Sequence, residues 1–500
     1  MNSVLNAMQE QANYKLTENG GVALKSTRSA VLDMFALCGA YRTRSEADCI
    51  LMFKNALEED ADMALKCLFY LADCRGGQGE RRFFRVCFKW LAKEYPSIAR
   101  RNIEFIPTFR RWDDVLYSCV GTPVEGSALA FIKKQLVLDI ECKTPSLLAK
   151  WLPSENASSR KTKRMGRIVR EYLNMTHKQY RRVLSELRAR INIVERLMSE
   201  NRWEEIEFDK IPSYAGFIYK NAFARKDIIA KKYEEFAKNK KTKVNADVLY
   251  PYQCVYQATK DWDRVYAPDE LSESEKLIIE KYWNNLPDYF AQKQSNMLCV
   301  VDTSGSMVRE GAAAPINVAI SLGMYAAERA GGPFKDHYIS FSSHPQLIKI
   351  EGVDFVDKVR RIYKTNLCEN TDLALTFDML LEIADRPDTK EEDIPENIVV
   401  ISDMEIDYMV TDHNAWGEDH LQTEMEKVRK KWADHGHNMP RLVYWNVDAR
   451  QNTILDMGPG VSYVSGMSPS IFECIASGKN GYELMVEKLV YSGRYNDIHA

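Results

Sequence analysis

One run of residues has the makings of an oxygen-only cation site: Leu298-Cys299-Val300-Val301-Asp302-Thr303-Ser304-Gly305-Ser306-Met307. A short β-branched run ends in an Asp, and two hydroxyls follow at alternate positions. That spacing puts three oxygen donors on one tight turn at the carboxyl end of a strand, where open α/β sheets bind their ligands. Hydroxyls with few carboxylates suit a hard octahedral cation that keeps part of its water, such as Mg²⁺. A plainer reading also stands, in which a hydrophobic strand ends in a polar turn capping the helix near Ile316 to Ala330.

The pattern Asp302-x-Ser304-x-Ser306 resembles the metal-ion-dependent adhesion site of the von Willebrand factor A (vWA) domain. That family adds a Thr in a loop about one βαβ unit later, then an Asp ending another buried strand. Here Thr371 lies in Cys368-Glu369-Asn370-Thr371-Asp372, ahead of the amphipathic stretch Leu373, Leu375, Phe377, Leu380 and Leu381. Asp403 ends Asn397–Ser402, which reads as a fully buried parallel strand. The resemblance implies that Ser304, Ser306 and Thr371 touch the metal while Asp302 and Asp403 hold it directly or through water. Water, or an acidic group from a protein partner, would fill the remaining position. Asn370 stands where related sites often carry Gly, and Glu405 and Asp407 follow Asp403. Those extra carboxylates favour Ca²⁺ or Mn²⁺ over Mg²⁺, or simply face water.

The elements that must position these residues fall into two textures. Before Asn296 the chain reads almost wholly as helix, with pieces at Ser29 to Tyr41, Ala61 to Cys74, Arg81 to Lys93, Gly126 to Glu141, Lys178 to Ser199 and Ser272 to Asn285. Apolar residues recur there at helical spacing, as in Leu65, Leu68, Phe69 and Leu71. Short turns between many modest helices suggest stacked hairpins, an α-solenoid or HEAT-like array. The turn Arg75-Gly76-Gly77-Gln78-Gly79-Glu80-Arg81 follows a helix and lacks a Gly-Lys-Ser/Thr ending, so it reads as a helix terminus and turn, not a phosphate loop. Beyond Asn296, strands at Met297–Val301, His337–Phe341, Gln346–Ile350, Asn397–Ser402, Arg441–Asn446 and Val461–Ser465 alternate largely with helices. The helices are Ile316–Ala330, Phe355–Lys364, Leu373–Ala384 and His420–His435, and Gly481 to Tyr491 closes the chain. That alternation predicts a doubly wound, mainly parallel sheet. The expected division is a flexible segment over 1–25, a helical-repeat domain over 26–293 and an α/β domain over 294–500.

Composition narrows the class. Five hundred residues at 45% hydrophobic and 28% charged supply real cores for more than one domain. No apolar run approaches the roughly twenty residues of a membrane span, and no signal peptide opens the chain, so a cytoplasmic protein without membrane contact is expected. The eleven cysteines are scattered, lack a Cys-x-x-Cys pair and read as reduced core residues.

Net charge is −3 but uneven: Arg160 to Lys243 carries 23 Lys and Arg against 11 Asp and Glu, a local +12 that leaves −15 elsewhere. A basic segment in an otherwise acidic chain is the footprint of polyanion binding. Its candidate phosphate contacts are Lys150, Arg160, Lys161, Lys163, Arg164, Arg167, Arg170, His177, Lys178, Arg181 and Arg182. Tyr172, Tyr180, Tyr214, Phe217, Tyr219, Phe223 and Tyr233 are interleaved, either to stack bases or to fill a core.

A helical half with a basic mid-section followed by a vWA-like domain resembles the Ro ribonucleoprotein (TROVE) family. The likeness runs from about Ser26 to the end, through the Asp302 motif, Asn370-Thr371-Asp372, Ile401-Ser402-Asp403 and the opening helix Ser29-Ala30-Val31-Leu32-Asp33-Met34-Phe35-Ala36-Leu37. Phe69-Tyr70-Leu71-Ala72-Asp73-Cys74-Arg75-Gly76-Gly77 and Lys150-Trp151-Leu152-Pro153-Ser154 look closer still to a branch of vWA proteins from plants and large DNA viruses or phages. The resemblance implies a ring of helical repeats closed by the vWA domain, with small structured RNAs on a basic outer face and single-stranded ends in the hole. A monomeric, non-catalytic RNA-binding protein is therefore expected. The alternatives are a metal-dependent scaffold that captures a partner's acid without RNA, and a metal-dependent nuclease using Asp302, Asp403, Glu405 and Asp407. Nucleases of that kind want clustered carboxylates on their metals, whereas this turn is mostly hydroxyl. The eight histidines form no cluster, and His435 and His437 flank Gly436 at a helix end, where capping is the simpler role.

Overall fold

The structure, a computed structural model, describes residues 13–18, 22–191, 193–260, 271–291, 295–341, 345–365, 373–405, 424–455 and 458–500. Asn370, Thr371, Asp407, His420, residues 292–294 and most of 1–25 lie outside the described residues.

Helices are the main regular element among the described residues from Ala30 to Asn284, and polar side chains set many of their starts. Ser29, Ser45, Asp60, Ser159 and Ser272 each accept a hydrogen bond from a first-turn amide, which satisfies a donor the helix itself leaves orphaned. The stretch expected as one helix over Lys178–Ser199 is two, His177–Ile191 and Val194–Ser199, because Ile193 adopts an extended backbone. The glycine turn after the Ala61–Ala72 helix returns its amides to that helix: Gln78 N–H to Tyr70 O, Gly79 N–H to Asp73 O and Glu80 N–H to Leu71 O. A Cβ on Gly77 would sit 1.8 Å from the Tyr70 carbonyl oxygen, so only glycine fits this close return.

Tyr14–Leu16 (β1) and Val22–Leu24 (β2) pair antiparallel, so this part of the expected flexible segment is a strand hairpin. Among the described residues the other six strands are β3 (Met297–Asp302), β4 (His337–Phe341), β5 (Gln346–Lys349), β6 (Asn397–Ser402), β7 (Arg441–Asn446) and β8 (Val461–Ser465). They form one mixed sheet in the order β5-β4-β3-β6-β7-β8, parallel throughout except that β5 runs antiparallel to β4. The central strands β3 and β6 are buried along their whole length, as their β-branched runs require. The Pro315–Arg329 helix lies so close to β3 that a Cβ on Gly323 would come within 2.4 Å of Val301 Cγ2.

The two halves share one continuous apolar core. The Ala30–Leu37 helix packs on β8, with Gly39 pressed against Ser465, and the Pro251–Thr259 helix packs on Pro315–Arg329. Described residues near both ends of the chain are tied across the molecule. Leu24 bridges Ile454 from the amino-terminal side. From the other end, Tyr495 Oη donates to the buried Asp73 carboxylate at 3.0 Å, Arg494 Nη2 donates to it at 3.1 Å, and Asn102 Nδ2 donates to the His499 carbonyl at 2.7 Å.

Replacing Asp73 by Ala strands the Tyr495 hydroxyl and unpairs Arg494. The expected loss is about 3 kcal/mol, because a buried pair loses one partner. Thermal melts and limited proteolysis of the carboxyl-terminal residues measure it; an unshifted melt with a protected tail contradicts this account.

Candidate metal centre and basic groove

The parallel pairing of β3 with β6 aligns Val301 with Ile401, so Asp302 and Asp403 emerge together at the carboxyl edge of the sheet. Both are almost fully buried. Asp302 Oδ1 accepts from the Ser304 amide at 2.9 Å and Oδ2 from the Ser402 hydroxyl at 2.6 Å. The Ser304 and Ser306 hydroxyls lie 3.0 Å apart on the Gly305–Met307 turn. On the β6 side the turn is strained: Met404 has φ +66°, and its amide donates to Ser402 Oγ at 3.0 Å. Burial pushes the Asp302 carboxyl above the ordinary carboxylate range, and the neighbouring Asp403 charge adds to it.

Two arginines that sequence reasoning did not single out answer this buried charge. Arg450 Nη2 lies 3.0 Å from Asp403 Oδ2, and the same guanidinium pairs with Glu18. Arg309 Nη2 lies 2.7 Å from Asp448 Oδ2, and Asp448 Oδ1 accepts from Thr43 Oγ1 at 3.1 Å. The signal was available, since Asp448 and Arg450 follow β7, the next strand to end at the same edge. Glu405 is committed elsewhere, to the Glu18 amide at 2.7 Å and the Thr453 hydroxyl at 3.1 Å. Burial raises its pKa as well. Of the expected metal set, Asp302, Ser304, Ser306 and Asp403 are brought to one edge; Thr371 lies outside the described residues. His435 and His437 instead share Asp385, at 2.8 and 2.9 Å, below a Gly436 of φ +81°.

The basic block forms a second feature. Helices Arg160–Tyr172, His177–Ile191 and Val194–Ser199, with residues 154–156, enclose a groove of about 970 Å³. Lys163, Arg167, His177, Lys178 and Arg181 of the expected set line it; Lys163, Arg167, Lys178 and Arg181 are exposed and have no acidic partner among the described residues. Arg160, Lys161, Arg164 and Arg182 are exposed outside the groove lining, Arg182 pairing with Glu186 at 2.7 Å and Lys161 lying over the Tyr117 ring. Glu155 holds Arg170 at 3.0 Å and His177 at 2.6 Å, and Lys150 lies over Trp151. Other cations of the block are structural: Arg188 donates to the Ala149 and Leu152 carbonyls, and buried Lys220 pairs with Glu275 at 3.1 Å. Tyr180, Phe217, Phe223 and Tyr233 belong to the core, Tyr219 is half-buried against it, and Tyr172 and Tyr214 are exposed.

Fold and site together define a protein of α and α/β parts, a helical half bearing a basic groove and a mixed sheet bearing a carboxylate–hydroxyl turn. The signature of a domain of unknown function (DUF2828) matches residues 17–116 and 143–295, half of the chain, and the chain belongs to that family. A second domain of unknown function (DUF7788) matches residues 296–488. Uncharacterized protein L728 of Acanthamoeba polyphaga mimivirus is 26% identical over 514 residues, spanning 94% of this chain and 85% of the viral one. Among solved structures, the Deinococcus radiodurans Ro (RSR) protein aligns over 92% of this chain and 86% of its own at 13% identity and a TM-score of 0.35. That superposition is too loose to carry structural weight.

Arg450→Ala leaves Asp302 and Asp403 side by side without their nearest cation. A loss of about 3 kcal/mol is expected in chelator at neutral pH. An unchanged melting temperature would mean that Asp403 is neutralised by another group.

Proposed function

We propose that this chain is a non-catalytic RNA-binding protein of the Ro ribonucleoprotein kind, holding small structured or single-stranded RNA by its phosphates. The observation that carries this reading is the groove itself, where Lys163, Arg167, Lys178 and Arg181 face solvent without acidic partners among the described residues. Cations left unpaired in one concavity favour a polyanion through counterion release and confer little sequence preference. In this reading residues 26–293 are a helical-repeat array able to close into a ring, residues 294–500 are a vWA-like domain, and the protein works as a cytoplasmic monomer. The two exposed tyrosines leave little surface for base stacking, which favours phosphate contacts over base readout.

The carboxyl-edge site fits a hard divalent ion, Mg²⁺ before Mn²⁺ or Ca²⁺. Its donors are all oxygen, and two buried carboxylates stand behind two adjacent hydroxyls. Ser304, Ser306 and Thr371 would touch the ion, with Asp302 and Asp403 behind them. Bound there, the ion would neutralise the carboxylates and offer a position to a partner's acid. That position supports a second reading, metal-dependent capture of an acidic protein without RNA. The engagement of Glu405 by Thr453 and the Glu18 amide speaks against a carboxylate cluster for nuclease chemistry.

Reversing Lys163, Arg167, Lys178 and Arg181 to Glu is expected to weaken binding of unrelated RNAs by at least about tenfold. The slope of log affinity against log salt should fall by about 3, at roughly 0.7–0.9 per lost phosphate contact. Unaltered affinity in a filter-binding titration removes the groove from the reading. For the metal, Mg²⁺ should raise the melting temperature of the native chain and leave Asp302→Ala unmoved; equal stabilisation of both refutes the site.

A further inference from the structure

The guanidinium of Arg450 stands between the carboxyl edge of the sheet and the amino-terminal hairpin. Its Nη2 lies 3.0 Å from Asp403 Oδ2, and its Nη1 pairs with Glu18. The contact with Asp403 is an ion pair without hydrogen-bond geometry. Asp403 Oδ2 and Arg450 Nε are both buried, and neither makes an aligned hydrogen bond among the described residues. The other oxygen of Asp403, Oδ1, accepts from the Glu405 amide at 3.2 Å. Asp302 meets only neutral donors, the Ser304 amide and the Ser402 hydroxyl. Two buried carboxylates thus rely on one guanidinium, which an acid of the hairpin also claims. A counter-charge so divided and so poorly aligned holds weakly, since charged pairs draw their strength from well-formed hydrogen bonds.

We propose that Arg450 and a divalent ion are alternative partners of Asp403, and that metal binding hands the guanidinium over to Glu18, drawing the hairpin onto the loop after β7. The inference rests on reading the carboxyl edge as a cation site. An ion seated against the Ser304 and Ser306 hydroxyls would neutralise both carboxylates behind them. A guanidinium and a divalent ion on one buried acid repel each other strongly, because little water screens them. Glu18 is already in contact with Arg450, so the handover needs only a side-chain rotation. Glu18 thereby favours the ion without touching it, as a positioning residue that draws the competitor away. The hairpin is held in place for this by the Glu18 amide on Glu405 at 2.7 Å, by Lys15 Nζ on Gln451 Oε1 at 3.0 Å and by the Leu24–Ile454 bridge. Coupling of this kind is reciprocal: the docked hairpin raises metal affinity by the factor by which the metal strengthens docking.

Calorimetric titration of the full chain with Mg²⁺, paired with hydrogen exchange of the hairpin amides, tests it. Arg450→Gln removes the competing charge and should bind Mg²⁺ about tenfold tighter than the native chain. Glu18→Gln leaves Arg450 to Asp403 alone and should bind Mg²⁺ about tenfold more weakly. In the native chain Mg²⁺ should slow exchange across Tyr14–Leu16 and Val22–Leu24; in either variant it should not. Native affinity in either variant, weaker binding in Arg450→Gln, or hairpin exchange in the native chain that ignores Mg²⁺ overturns the proposal and leaves the metal reading standing. No Mg²⁺ binding by any of the three chains removes the metal reading and the proposal together. If Arg450→Gln is too unstable to titrate, Glu18→Gln decides alone, because that side chain is 40% exposed and its backbone amide still serves Glu405.

Discussion

Two carboxylates at the ends of adjacent buried strands repel each other, and water is too scarce there to screen them. Asp302 and Asp403 are in that position because β3 and β6 run parallel in register, so neither can move without shifting the centre of the sheet. The surroundings answer with what they have: the Ser402 hydroxyl and Ser304 amide on Asp302, and the Arg450 guanidinium on Asp403. Arg450 in turn anchors Glu18, and the Glu18 amide satisfies Glu405. Charge compensation at one edge of the sheet therefore ties the amino-terminal hairpin to it.

The centre of the sheet was legible because β3 and β6 are buried apolar runs rich in β-branched residues, which carry the same signal wherever they pair. All six were expected within a residue or so of where they lie. The hairpin was not legible: its strands are three residues each, and Leu24 completes its hydrogen bonding with Ile454. Pairing over that separation leaves no local pattern. The break between Ile191 and Val194 was equally hidden, since apolar spacing continues through it.

At the candidate sites, residue type was readable but role was not. Lys163 and Lys220 look alike in a basic run, yet one faces a groove and the other is buried on Glu275. The interleaved aromatics divide in the same way, with Tyr172 outside and Tyr180 in the core. Asp302, Ser304, Ser306 and Asp403 could be named because a strand–turn motif is local. Arg309 and Arg450 act only through acids that the fold brings to them.

The crossing of the two chain ends has a consequence for synthesis. Leu24 pairs early with Tyr14, but its bridge to Ile454 and the hydrogen bond of Asp73 with Tyr495 form only after the α/β half has emerged. The face of the Ala30–Leu37 helix that packs on β8 waits equally long. The first half of this protein thus emerges with apolar surface and a buried acid still uncovered, and contacts of such long sequence separation form slowly. A product truncated before β8 would leave that helix face uncovered and prone to aggregation.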